Sequence, residues 1–152
     1  MDRIDKKILE HLQTNSQISN QELAEQIALS PSPCARRVKQ LEDEGYISKY
    51  VALLNPEKLG LQLTIIVTVE LNNHNPKKMK EFETAMAALP EVIQCYLIAG
   101  QSADYILKVM FATLNDYQQF LLNKLTQLDM VSSVQSSFML SNIIDKTALP
   151  IK

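Results

Sequence analysis

The sequence predicts an α+β fold in two domains: a winged helix-turn-helix with its linker over residues 1–60, then a βαββαβ domain of ferredoxin-like (ACT-like) arrangement over residues 61–152. Three observations carry this expectation. Residues 2 to 45 show only the apolar spacing of helices. From residue 61 onward, runs of period two and period 3.6 follow one another as strand, helix, strand, strand, helix, strand. Between the two regions, Asn55-Pro56 and Leu59-Gly60 interrupt the pattern, as such pairs do at a hinge.

Taking the elements in order, Asp2 to Gln13 places Ile4, Ile8, Leu9 and Leu12 on one helical face, and Asn15-Ser16 ends the helix. Ser19 with Glu22 three residues on forms a capping box, so a second helix starts there and buries Leu23, Ala24 and Ile27. Leu29-Ser30-Pro31-Ser32-Pro33 breaks the chain. Ser30 or Ser32 caps a third helix with Pro in its first turn, and that helix runs to Glu44 before stopping at Gly45. Three short helices with a tight turn between the last two make a helix-turn-helix. Ile47 to Leu53 alternates like a strand, either a wing or a ribbon that pairs with a second subunit.

The third helix has two contrasting faces. Cys34, Val38 and Leu41 project inward, Ser32, Arg36, Lys39, Gln40 and Asp43 outward, with Arg37 on the flank. Glu42, Asp43 and Glu44 gather at the C-terminal end, where they repel phosphates, so a duplex must be met by the N-terminal half. Arg36, Arg37, Lys39 and Gln40 offer donors for base edges or phosphates. Free N–H groups near Ser30, Ser32 and Pro33 add an anion anchor. The same face also fits a solvated helix in a protein-binding domain. Residues 1–50 carry seven basic against eight acidic side chains, so one copy binds DNA weakly and several joined copies bind better.

In the second half, Leu61, Leu63, Ile65, Val67, Val69 and Leu71 point to one side of a strand. A helix opens at Asn75-Pro76, turns Met79, Phe82, Met86 and Leu89 inward, and ends at Pro90. Strands are expected over residues 91–100 and 103–112. A helix beginning at Asn115 or Asp116 buries Tyr117, Leu121 and Leu128, and a last long strand runs from Val131 to about Ile144. Helices cover one sheet face, and Ile66, Met110 and Phe138 are expected on the other. An uncovered apolar face points to a homodimer through the sheets.

Bulk properties narrow the function classes. A net charge of −2 excludes polyanion binding by overall charge. The first residues lack a signal-peptide core, and no apolar run approaches a membrane span, so the cytoplasm is expected. Cys34 and Cys95 stand apart, as do His11 and His74, so neither a metal site nor a cofactor is expected. No nucleophile–base pair or paired carboxylates suggests catalysis.

The run Leu29-Ser30-Pro31-Ser32-Pro33-Cys34-Ala35-Arg36-Arg37-Val38-Lys39-Gln40-Leu41-Glu42-Asp43-Glu44-Gly45-Tyr46-Ile47 resembles the recognition helix of the Lrp/AsnC feast/famine regulators. Asp2 to Leu9 is similar to that family's first helix, and Tyr50 to Gly60 to its linker. Cys95 to Gly100 followed by Asp104 to Val109 resembles its effector loop. The resemblance implies a sequence-specific DNA-binding transcription regulator whose assembly or DNA affinity responds to an amino acid such as leucine or methionine. It implies homodimers that join into tetramers or octamers on double-stranded DNA, with the amino acid bound between dimers. On this chain it implies that Gly100 leaves room for the effector and Asp104 holds its ammonium. Backbone groups of Gln101, Ser102 and Ala103 would hold its carboxylate, and Ser136, Ser137 and Phe138 would close the pocket. Three residues separate Gly100 from Asp104 where the family usually has two, and a turn-capping role for Asp104 is equally open. Two other functions fit the same outline: a tetrapyrrole-modifying enzyme of similar architecture, and a metabolite-binding adaptor independent of DNA.

Overall fold

A computed structural model of the chain describes residues 1–100 and 103–152. Its contacts fall into two compact units, residues 1–53 with 143–152, and residues 54–142.

In the first unit, α1 spans Arg3–Leu12, α2 Asn20–Gln26 and α3 Pro31–Asp43. Asp2 and Asp5 form a capping box on α1, and Ser19 and Glu22 form the expected one on α2. Ser30 takes the N-cap position of α3 with Pro31 as first helical residue, although its side chain makes no capping bond. Ile8, Leu23, Ala24, Ile27, Cys34 and Leu41 are the buried core. Burial also pushes the Cys34 thiol pKa up, which keeps it protonated and inert. The turn after α2 runs through Ala28, whose φ of 58° is left-handed. This reverses the chain within a few residues, and the Asn20 Nδ2 amide donates to the Pro31 carbonyl at 2.8 Å to tie the two helices.

Ile47 to Leu53 was expected to be a strand, and here it forms none. A strand needs a hydrogen-bonded neighbour, and the described residues supply no strand partner to that segment. The last ten residues, expected to belong to the sheet domain, pack with the helices instead. The Gln13 amide donates to the Leu149 carbonyl at 3.0 Å and accepts from its N–H at 2.9 Å, as a strand neighbour would.

The second unit contains β1 (Leu63–Leu71), α4 (Pro76–Ala87), β2 (Val92–Leu97), β3 (Tyr105–Phe111), α5 (Leu114–Phe120) and β4 (Val131–Phe138). The sheet order is β2-β3-β1-β4, all antiparallel, which is the expected βαββαβ topology. Ile65, Val67, Val69 and Leu71 face the helices beside Tyr105, Leu107, Val109 and Phe111, and Phe82, Met86, Tyr117, Phe120 and Leu125 cover them. The opposite face pairs Thr64 with Met110, Ile66 with Lys108 and Thr68 with Ile106.

Phe138 corrects the expectation. It pairs with Ile65 and so shares the helix-covered side, where its ring meets Tyr117 edge-on at 5.8 Å. β4 also ends at Phe138, not near Ile144. Its only neighbour is β1, and the last bond along that edge is Met139 N–H to the Thr64 carbonyl, where β1 itself begins.

Candidate nucleic-acid interface and effector site

The core residues of α3 fix which of its side chains meet solvent. With Cys34 and Leu41 buried, Ser32, Arg36, Lys39, Gln40 and Asp43 are all exposed. Arg36 and Lys39 have no ion-pair partner among the described residues. Gln40 donates to Glu44 Oε1 at 2.6 Å in an exposed pair one turn apart, a bond that exchanges readily for a base edge.

Arg37 is placed differently from its neighbours. Its Nη1 lies 2.7 Å from both Asp2 Oδ2 and Asp5 Oδ1, so it braces α3 against the start of α1. The Asp2 carboxyl pKa is held down to about 2, first by the Asp5 N–H and then by Arg37. The expected duplex role of Arg37 is therefore revised, because two carboxylates neutralise the cation where it stands. The anion anchor narrows too. Pro31 and Pro33 have no N–H, and the Cys34 N–H already bonds the Ser30 carbonyl. Ser32 N–H and the Ser30 and Ser32 hydroxyls remain. Pro33 is half-buried.

In the sheet unit, Asp104 closes the loop between β2 and β3. Its Oδ2 accepts from the Leu71 N–H at 2.7 Å, and its Oδ1 lies 2.8 Å from His74 Nε2. Its own N–H donates to the Val69 carbonyl at 2.9 Å, and its carbonyl accepts from Ile98 N–H at 2.8 Å. Four bonds therefore lock this residue across the ends of β1 and β2. The sequence shows His74 only as a histidine standing apart. The β1–β3 register, with Val69 opposite Tyr105, is the signal that sets the loop after β1 beside Asp104.

Gly100 has φ +91°, and a Cβ built there meets nothing within 4 Å, so within this chain the glycine is required by backbone conformation and not by crowding. Ala103 is half-buried. Gln101 and Ser102 lie outside the described residues. The end of the final strand that carries Ser136 to Phe138 is not brought to this loop in a single chain. Ser137 pairs with Ile66, five residues before Leu71, which is roughly 17 Å along the strand. Ser136 faces the helices, where its hydroxyl bonds Tyr117 OH, while Ser137 faces the open side.

A family model described as winged helix-turn-helix DNA-binding matches residues 1–48, and one described as the Lrp/AsnC ligand binding domain matches residues 64–149. The chain is 37% identical over 152 residues to the leucine-responsive regulatory protein of Escherichia coli (strain K12), covering all of this chain and 92% of that protein. A transcriptional regulator from Neisseria meningitidis, crystallised as its L-Met complex, has a TM-score of 0.94 at 40% identity, covering 99% and 96% of the two chains. An AsnC family transcriptional regulator from Agrobacterium tumefaciens has a TM-score of 0.93 at 33% identity, covering 99% and 97%.

Proposed function

The chain belongs to the Lrp/AsnC family, and from that premise we propose that it is an amino-acid-responsive, DNA-binding transcription regulator that meets the duplex with the N-terminal half of α3. The observation that carries this is the outward face of that helix. Arg36 and Lys39 stand exposed and without ion-pair partners among the described residues, while Arg37 beside them is neutralised by Asp2 and Asp5. The contacting set is Ser30, Ser32, Arg36, Lys39 and Gln40, with the two long cations on phosphates or guanine edges.

The sheet unit takes the effector at the loop holding Gly100 and Asp104. The Neisseria relative crystallised with L-Met supports an amino acid as the ligand class. Ser136, Ser137 and Phe138 lie too far along the sheet to reach that loop in one chain, so any part they take requires a neighbouring copy. A homodimer that assembles further into tetramers or octamers supplies it. Apolar side chains at Tyr50, Val51, Leu53, Leu54, Leu140, Ile143 and Ile144 are exposed in the single chain, which supports burial between copies. The relatives are named as regulators, which supports a binding protein and not an enzyme. A role on a duplex supports a cytoplasmic location.

The test is fluorescence anisotropy with the DNA upstream of the chain's own gene, from 50 to 300 mM salt, with and without each amino acid. Binding should weaken steeply with salt, and Lys39→Ala should lower the log–log slope by about 0.9 for every copy engaged. A chain that ignores this DNA at low salt, in every amino acid, overturns the reading.

A further inference from the structure

The effector reading does not account for the contact between His74 and Asp104. The two carboxylate oxygens of Asp104 are held in unlike ways. Oδ2 is fixed by the N–H of Leu71, a buried residue at the end of β1, and the backbone bonds to Val69 and Ile98 hold the residue in place. Oδ1 carries the 2.8 Å contact to His74 Nε2, and the His74 side chain is 64% exposed against 18% for Asp104. The first oxygen is part of the framework. The second is bonded by a ring that sits in the exposed loop between β1 and α4 and can turn into water without disturbing the core.

We propose that His74 is a stand-in for the effector's ammonium on Asp104, an affinity-setting residue that an amino acid must displace before it is held there. The inference rests on the reading of this loop as the effector site. Through Nε2 the imidazole gives the carboxylate at most one N–H. An ammonium brings full charge and up to three donors, and charge-assisted bonds are roughly twice as strong as neutral ones. The exchange therefore favours a ligand with a free ammonium. Ligands that lack one gain nothing from displacing the ring. His74 therefore competes only with ligands that bring an ammonium to Oδ1, and it weakens their apparent affinity by the fraction of time the ring occupies that oxygen.

Isothermal titration of L-methionine and of 4-(methylthio)butanoate, the same molecule without its amino group, tests this on the full chain. His74→Ala should bind L-methionine about two- to five-fold more tightly, the range expected for removing one exposed competing pair, with no change in melting temperature or particle mass. It should bind the deaminated acid no better than wild type. In wild type, L-methionine should raise the labelling of His74 by diethyl pyrocarbonate relative to His11, read by mass spectrometry. Equal or weaker L-methionine binding by His74→Ala, or His74 labelling that stays flat or falls, overturns the proposal while leaving the effector reading intact. If none of the twenty amino acids binds wild type, the effector reading fails and this one fails with it.

Discussion

At Asp2, one side chain does two jobs. It caps α1 through the N–H groups of Ile4 and Asp5, and it receives Arg37 from α3. Its folded pKa of about 2 lies below the ordinary 3.8, so the deprotonated form is the one that stabilises the fold. That stabilisation is complete above pH 4 and is lost as pH falls from about 4 through 2. Urea denaturation at pH 6 should show Asp2→Asn less stable than wild type, and the two should converge near pH 2. A constant gap across this range would mean the carboxylate's charge is irrelevant. Ala28 is a second single-residue case. A left-handed L-residue costs about 1–2 kcal/mol, and a glycine adds about 0.5–1 kcal/mol of chain entropy to be lost on folding. Ala28→Gly should therefore raise the stability of the fold by about 0.5 kcal/mol, visible as a higher urea midpoint. A lower midpoint would show that the turn carries no strain.

At the scale of elements, α3 depends on its inner stripe to aim its outer one. Leu41 is buried with Ile8 and Leu23, and Leu41→Ala should cost about 2–5 kcal/mol. The loss should appear in calorimetry of the whole chain, and a cost under about 1 kcal/mol would place α3's anchor elsewhere. The sheet elements show where sequence pattern stops being informative. The apolar–polar alternation of β1 predicted its two faces correctly because period two is a local property. The ends of β4 and β2 were not legible. A strand lasts only as long as its neighbour, and β1 runs out at Thr64, opposite the end of β4. Ile47 to Leu53 has strand-like alternation and no neighbour at all in one chain. Phe138 shows the same limit, since its side of the sheet was set by register with Ile65 and not by its own apolarity.

At the scale of the whole molecule, one chain leaves large apolar side chains open to water. Leu140 is 97% exposed and Ile143 84%, and Leu53 and Leu54 are also open to water. Soluble proteins rarely leave such apolar groups clustered on a free surface. Sedimentation velocity at micromolar concentration should give a particle of at least twice the 17.2 kDa chain mass, before any DNA or amino acid is added. A monomer under those conditions would remove both the paired presentation of α3 and the second copy that the effector reading requires. The proposed assembly would also let a near-neutral helical region grip a polyanion, since joined copies bind at high effective concentration.

The three helices, the capping box of α2, the order of the sheet elements, the exposed cations of α3 and the family resemblance were all legible in the sequence, because each rests on residues within a few positions of one another. Only the tertiary structure decided that Arg37 braces α1, that Asp104 is already bonded to His74 and Leu71, and that residues 143–152 lie with the helices. These are contacts between residues roughly 30 to 136 positions apart. Local periodicity carries no information about which distant charge or amide will arrive beside a given side chain, and register across the sheet and packing between helices supply it.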